Sequence, residues 1–148
     1  MQSYIFDFKK STGFLKKWNK EFDVEAFDSS TFQIILVDGE CANNFSDCVD
    51  SDGQLIYTST HSISADCELD YVVQDNMESI VLKEDCTFDF DGTTYPTSFK
   101  MKGAFLTTDT GFVLGYSINQ YTLEITTQMI FEKGLTFFDI VEVVSDGE

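Results

Sequence analysis

The chain has 148 residues, and its 26 acidic against 9 basic side chains give a formal net charge of −17 at pH 7. This length predicts a single domain, and a content of 43% hydrophobic and 15% aromatic residues is enough to form a core, which argues against a disordered chain. All nine basic residues are lysines, and the acidic excess argues against direct nucleic-acid binding, because phosphate contacts require Lys or Arg.

The charge is divided unevenly along the chain. Residues 1–20 contain five lysines and one aspartate, a balance of +4, whereas residues 21–148 contain four lysines and 25 acids, a balance of −21. A basic segment on an acidic body can attract a second copy of that body or an acidic partner. We therefore predict a basic, aromatic N-terminal arm at residues 1–29 and an acidic β domain at residues 30–148.

The arm is predicted to contain a short strand at residues 3–8 and then a helix. Apolar residues at positions 14, 15, 18 and 22 fall on one helical face, and lysines flank that face. Such a helix either docks on a partner or packs on its own domain with its lysines in solvent, and both interpretations stay open. The candidate interface residues are Phe14, Lys16, Lys17, Trp18, Lys20 and Phe22.

From about residue 30 onward, alternating apolar residues and regularly spaced turn signals predict an antiparallel β fold. Hairpins are predicted around Asp91 and Gly92 and around residues 108–111, and residues 39–53 are predicted to be a polar loop. We expect an all-β protein, an antiparallel β-sandwich of immunoglobulin-like or jelly-roll-like type with the strand–helix arm at its N-terminus. Strands are predicted at residues 31–38, 54–60, 70–73, 79–82, 87–90, 94–101, 104–107, 112–118, 121–131 and 135–144.

The cysteines, at positions 41, 48, 67 and 86, are expected to be free buried thiols, because no secretory signal precedes them. Their wide spacing does not match the closely spaced ligand pairs of a zinc site. The stretch with Asp50, Asp52 and Gly53 resembles half of a calcium loop but lacks acids at the first and last ligand positions, so an Asp-Gly turn is expected.

Residues for catalysis are not recognisable in the sequence. The single histidine, His61, has no nucleophile at a spacing typical of a triad, and the many paired carboxylates are expected by chance among 26 acids. Nucleotide-binding glycine motifs are absent as well. We therefore predict no catalytic, cofactor-binding or metal-binding residues and no enzymatic activity.

The sequence shows no secretory signal, and its apolar runs are too short to span a bilayer. These features predict a protein that is made in a cytoplasm, has no membrane partner, and stays there or leaves within an assembled particle.

Residues 98–144 carry a resemblance to a known group of proteins. The stretch at residues 101–106, with Lys102, Gly103 and Ala104, leads through a Thr-Gly turn into residues 112–116 and then into the alternating segment 121–131. This pattern resembles the small virion proteins of tailed bacteriophages. The resemblance implies a location in the virion and a structural role in capsid decoration, head–tail connection or the tail, with no enzymatic residues.

The leading hypothesis is a non-enzymatic virion structural protein that assembles with copies of itself, or with other virion proteins, through its arm and sheet surfaces. The alternative is an acidic decoy whose carboxylates imitate DNA phosphates and occupy a host nucleic-acid-binding enzyme. A carbohydrate-binding sandwich, with Trp18 and tyrosines as stacking platforms, is a third hypothesis.

Overall fold

The computed structural model describes residues 8–10, 31–57, 60–75, 77–126 and 128–141. Within these ranges the regular structure consists of strands and one short 3-10 helix, Phe45–Asp47. The strands are β1 (Lys9–Lys10), β2 (Phe32–Val37), β3 (Ser62–Cys67), β4 (Leu69–Gln74), β5 (Met77–Leu82), β6 (Cys86–Asp89), β7 (Phe99–Thr108), β8 (Val113–Ile125), β9 (Gln128–Phe131) and β10 (Thr136–Val141).

The strands of the described ranges form three sheets. The largest has the order β1-β8-β7-β2-β3, a second has the order β10-β5-β4, and the third pairs β6 with β9. Every strand pair in these sheets is antiparallel. The prediction of an all-β, antiparallel protein is therefore confirmed.

The main hydrophobic core lies between the three sheets. Strand β2 alternates so that Phe32, Ile34 and Leu36 point into this core, as expected for a central strand between β7 and β3. The two smaller sheets supply Ile80 from β5 and Phe88 from β6 to the same cluster. Burial of one shared apolar cluster therefore holds the sheets together.

The five-stranded sheet is also covered on its opposite face. A second buried cluster there contains Val37 from β2, Phe105 from β7 and Val113 from β8. Strand β7 accordingly has a continuous buried run at residues 101–107 instead of an alternation. The sequence analysis anticipated the strand at residues 104–107 but not a second covered face.

The predicted hairpin around Asp91 and Gly92 is wrong. The turn forms, with Gly92 at φ +86 and the Asp91 carboxylate accepting the N–H of Thr93. However, β6 before it pairs with β9, and the next strand begins only at Phe99 and lies in the five-stranded sheet. A turn signal is local, and it does not determine which distant strand becomes the partner.

Two other strand assignments need correction. Of the strand predicted at residues 54–60, Gln54 and Leu55 form only isolated bridges, and the strand that follows is β3, which was not predicted. The long strand predicted at residues 121–131 is divided into the end of β8 and β9, which belong to different sheets. The hairpin of β7 and β8 around residues 108–111 is confirmed.

The predicted helix and most of the predicted strand at residues 3–8 lie outside the described residues. Phe8 precedes the strand of this region, which is Lys9–Lys10. The domain boundary between residues 29 and 30 stays a prediction. None of the helical structure in the described ranges has the length and apolarity needed to cross a membrane.

Candidate functional site

Residues 38–57, which we call the flap, cover the second face of the five-stranded sheet. The flap buries Cys41 and Cys48 against the sheet, and Phe45, Val49 and Leu55 pack on the same cluster. Most of this segment was predicted to be a polar loop. Its apolar residues recur with neither the helical nor the strand period, so the pattern gave no signal of a packed element.

Local hydrogen bonds give the flap its shape. The Asp38 carboxylate accepts the N–H of Glu40, and the Asp38 carbonyl accepts the N–H of Cys41. Further along, one carboxylate oxygen of Asp50 accepts the N–H groups of both Asp52 and Gln54. The Asp50 side chain therefore caps its own turn, which confirms the interpretation of this stretch as an Asp-Gly turn.

The flap is fastened to the hairpin of β7 and β8. The N–H of Leu55 donates to the carbonyl of Gly111, and the N–H of Val113 donates to the carbonyl of Gly53. The ring of Phe45 stacks on the ring of Tyr116 of β8, with the centroids 4.1 Å apart and the planes 10° from parallel. Two backbone hydrogen bonds and one ring stack therefore hold the flap against β8 and its turn.

The N-terminal part of the chain reaches β8 at the same place. Strand β1 pairs with β8 so that Lys9 lies opposite Tyr116 and Lys10 lies opposite Gly115. Just before it, the ring of Phe8 meets the ring of Phe137 edge to face, with the centroids 4.9 Å apart. Tyr116 thus contacts β1 through its backbone and the flap through its ring.

The flap holds two of the four thiols next to each other. The Sγ atoms of Cys41 and Cys48 are 3.9 Å apart, and both residues are buried. The hydroxyl of Tyr57 accepts a hydrogen bond from the N–H of Ala42 and donates towards Cys48 Sγ over 4.0 Å. Cysteine burial, predicted from the sequence, is confirmed at all four positions, whereas the approach of these two thiols was not predicted.

The two thiols differ in acidity because they share a hydrogen bond. The hydrogen bond between the two sulfurs lowers the pKa of Cys48 below its usual value, and the Tyr57 hydroxyl acts in the same direction. That hydrogen bond and burial raise the pKa of Cys41 well above its usual value. Burial also raises the pKa of Tyr57, so its hydroxyl stays protonated and able to donate.

One buried cation lies near the thiols. Lys102 of β7 is only 7% exposed, and its Nζ donates to the carbonyl of Gln120, 2.7 Å away, where the register between β7 and β8 shifts. Its positive charge acts to lower the pKa of Cys41, against the larger effects that raise it. A lysine of a central strand near the cysteine pair was not predicted from the sequence.

The other two cysteines lie beside an acidic cavity. Burial raises the pKa of Cys86 to about 11 and the pKa of Cys67 further, and the Cys86 thiol donates to the carbonyl of Asp66. Next to them is a cavity of about 330 Å³ with four carboxylates in its lining. The lining residues are Thr31, Asp66, Cys67, Glu68, Glu84 and Asp85.

His61 lies at the base of the flap and is paired with Asp38. Its Nδ1 is 3.1 Å from a carboxylate oxygen of Asp38, and the His61 carbonyl accepts the N–H of Asp38. This arrangement joins the first residue of the flap to a residue that follows the flap in the sequence. In the part of the chain that the structure describes, no group of three or more His, Cys, Asp or Glu side chains is arranged to hold a metal ion.

The interface residues predicted from the sequence all lie outside the described residues. They are Phe14, Lys16, Lys17, Trp18, Lys20 and Phe22. Their segment, residues 11–30, runs between two positions that are described, Lys10 opposite Gly115 and Thr31, whose carbonyl accepts the N–H of Asp109. Both ends of the basic segment are therefore fixed near the hairpin of β7 and β8.

Comparison with protein-family models, with curated proteins and with solved structures finds no match to this chain. The geometry of β8, the flap and the charged surfaces is therefore the basis for the function proposed below.

Proposed function

We propose that this protein is a non-enzymatic structural subunit that assembles with copies of itself or with other proteins of a virion, as the resemblance to the small virion proteins of tailed bacteriophages implies. We further propose that its sheets form a β-sandwich of immunoglobulin-like or jelly-roll-like type. In this proposal the basic segment of one subunit contacts the acidic surface of another.

The pairing of β1 with β8 is the observation that carries the proposal. Because Lys10 and Thr31 both lie against the five-stranded sheet, the basic segment between them is attached at both ends. Twenty residues separate the two anchors, which limits the reach of the segment to about 35 Å, given the length of an extended residue. Lys20 and Phe22 are nearest its midpoint in the sequence, where the greatest reach is available.

The surface charge supplies a complement to that loop. The carboxylates of Asp66, Glu68, Glu84 and Asp85 are exposed around one cavity, whereas Lys102 of the same domain is buried. Opposite charges on two parts of one chain favour contact between copies of that chain. The attraction weakens as salt is added, because the screening length falls from about 30 Å at 0.01 M to about 10 Å at 0.1 M ionic strength.

The experiment is the native mass by light scattering at low and at high salt, compared with the monomer mass of 16.8 kDa. We expect an oligomer at low salt that dissociates, wholly or in part, as the salt is raised. Replacing Lys16, Lys17 and Lys20 by Gln should abolish the salt-sensitive association.

A matched control changes the net charge by the same amount elsewhere. Lys83, Lys100 and Lys133 are exposed on the acidic domain, and replacing all three by Gln should leave the association in place. Equal loss of association in both triple variants would contradict a specific role of the loop, and a wild-type monomer at every salt concentration would contradict self-assembly. Substitution is preferable to deletion, because deleting residues 1–22 would also remove Phe8 and β1 from the fold.

The acidic decoy is a second candidate, and the four carboxylates around one cavity favour it. A surface of this kind can attract a basic DNA-binding protein. The test is binding of the chain to such a protein with and without competing DNA. Competition by DNA, together with a monomeric chain at every salt concentration, would favour the decoy over the assembling subunit.

A further inference from the structure

The Cys41 and Cys48 thiols are placed to react with each other. Their Sγ atoms are 3.9 Å apart, and a disulfide requires about 2 Å. Only six residues separate them, and these contain one short 3-10 turn, so side-chain rotation with a small backbone adjustment can close the gap. The contact is intramolecular and is present in the reduced protein, which keeps the entropy cost of bringing the thiols together small.

We propose that Cys41 and Cys48 form an oxidative modification site, at which a peroxide converts the two thiols into a reversible disulfide that closes a covalent loop within the flap. This proposal does not depend on the assembly function proposed above.

The reaction balances with one peroxide molecule. The Cys48 thiolate attacks one peroxide oxygen, the O–O bond breaks, and the other oxygen leaves as hydroxide and takes up a proton to form water. Cys48 is then a sulfenic acid. The Cys41 sulfur, losing its proton, attacks Cys48 Sγ and displaces the hydroxyl group as a second water, so that two thiols are oxidised by two electrons and one peroxide is reduced to two waters.

The groups around the pair assign these roles. The hydrogen bond between the two sulfurs and the Tyr57 hydroxyl favour the thiolate on Cys48, whereas burial and the Asp47 carboxylate oppose it. When protonated, Cys48 donates instead to the carbonyls of Asn44 and Ala42, 3.4 and 3.7 Å from its Sγ. The positive charge of buried Lys102 acts to lower the pKa of Cys41, but the hydrogen bond with Cys48 and burial outweigh it. The attacking thiol is therefore Cys48, and the resolving thiol is Cys41.

Access to the site depends on the flap. Cys48 is fully buried, and the stack of Phe45 on Tyr116 holds the flap closed. Peroxide reaches the thiolate when this part of the flap opens. Oxidation should thus be slow in the wild-type protein and faster when the stack is removed, because opening then costs less free energy.

Cys67 and Cys86 provide an internal comparison. Both are buried, and burial raises the pKa of each thiol, while the Cys86 thiol donates to the carbonyl of Asp66. Neither is expected to form a thiolate at neutral pH. Because peroxide reacts with the thiolate form, it should oxidise Cys41 and Cys48 in preference to Cys67 and Cys86.

The experiment treats the full chain with hydrogen peroxide at pH 7.5 and follows the mass of the intact protein and of its peptides. We expect the loss of two hydrogens, a peptide linked from Cys41 to Cys48, and recovery of both thiols with dithiothreitol. Cys41→Ser should stop at the sulfenic acid on Cys48, whereas Cys67→Ser with Cys86→Ser should form the same disulfide as the wild type. Circular dichroism of each variant verifies that it is folded.

Phe45→Ala tests the access step. It should oxidise about tenfold faster, the change expected for the loss of one aromatic contact. A linkage between Cys67 and Cys86, a disulfide between two chains, over-oxidation of Cys48 without a disulfide, or thiols that all remain reduced in Phe45→Ala would each overturn the proposal.

Discussion

The ring of Phe8 packs edge to face on the ring of Phe137, and this contact joins the N-terminal part of the described chain to strand β10 near the C-terminal end. Phe8 also packs on the main core. Together with the pairing of β1 on β8, this contact attaches Phe8, Lys9 and Lys10 to the described strands.

Phe8→Ala should lower the free energy of unfolding by about 2 kcal/mol, less than the cost of removing a fully buried aromatic ring, because Phe8 is only half-buried. The measurement is urea unfolding followed by circular dichroism. Val73→Ala is the control, since Val73 is 61% exposed and its truncation should change stability by less than about 0.5 kcal/mol. Similar small losses in both variants would show that Phe8 does not belong to the core.

Gly53→Ala and Gly134→Ala form a matched pair, because both glycines have a positive φ, +80 and +92. A Cβ at Gly134 meets no atom within 4 Å, so only backbone strain is expected, at about 1 kcal/mol. A Cβ at Gly53 would lie 2.8 Å from the Phe112 ring, which adds a further cost of about 1–3 kcal/mol. Urea midpoints that fall equally in the two variants would rule out close packing of the flap on Phe112.

Tyr57→Phe should lower the free energy of unfolding by about 1–2 kcal/mol, because the N–H of Ala42 loses its acceptor. The same change should raise the pKa of Cys48, which the Tyr57 hydroxyl holds down. Thermal unfolding measures the first effect, and the pH dependence of Cys48 alkylation measures the second. Tyr121→Phe is the control, since Tyr121 is 72% exposed, and it should alter neither quantity.

Alkaline pH should destabilise the reduced protein. In the unfolded chain a thiol ionises near pH 9, whereas burial raises the pKa of Cys86 in the fold to about 11. Between these values the folded state binds more protons than the unfolded state, so the free energy of unfolding falls as the pH rises. The contribution of Cys86, on the order of 2 kcal/mol, is complete below pH 9 and is lost as the pH approaches 11.

Urea unfolding at intervals between pH 8 and pH 11, under reducing conditions, checks this slope. Cys86→Ala should show a shallower decline with pH than the wild type, whatever its absolute stability. Cys48→Ala should decline more steeply below pH 9, where the lowered pKa of Cys48 raises the stability of the wild type, and less steeply above pH 9, because Cys41 loses the hydrogen bond that raises its pKa. Parallel curves for all three proteins would contradict the assigned pKa directions.

The sequence predicted the strand-rich class because alternation is a local property, visible in β2 and in the hairpin of β7 and β8. The partner of β6 could not be predicted, since Cys86 pairs with Phe131, far along the chain, while the turn signal at Gly92 pointed to the next strand. Pairing across such a distance depends on the total burial of the core and not on any local pattern.

The candidate site was less predictable than the fold. Cys41 and Cys48 come together only because the 3-10 turn at Phe45–Asp47 folds the segment between them back on itself. In the sequence Phe45 is an isolated aromatic residue in a polar stretch, and its partner, Tyr116, belongs to a strand that follows much later in the chain. Neither relationship has a sequence period that could reveal it.

The double anchoring of residues 11–30 has a thermodynamic consequence for binding. A chain segment attached at one end has more conformational entropy to lose on binding a partner than the same segment attached at both Lys10 and Thr31. The entropy cost of the second attachment is met on folding and lowers the stability of the five-stranded sheet. Contacts of equal strength would therefore give the doubly attached segment a higher affinity than the same sequence attached at one end.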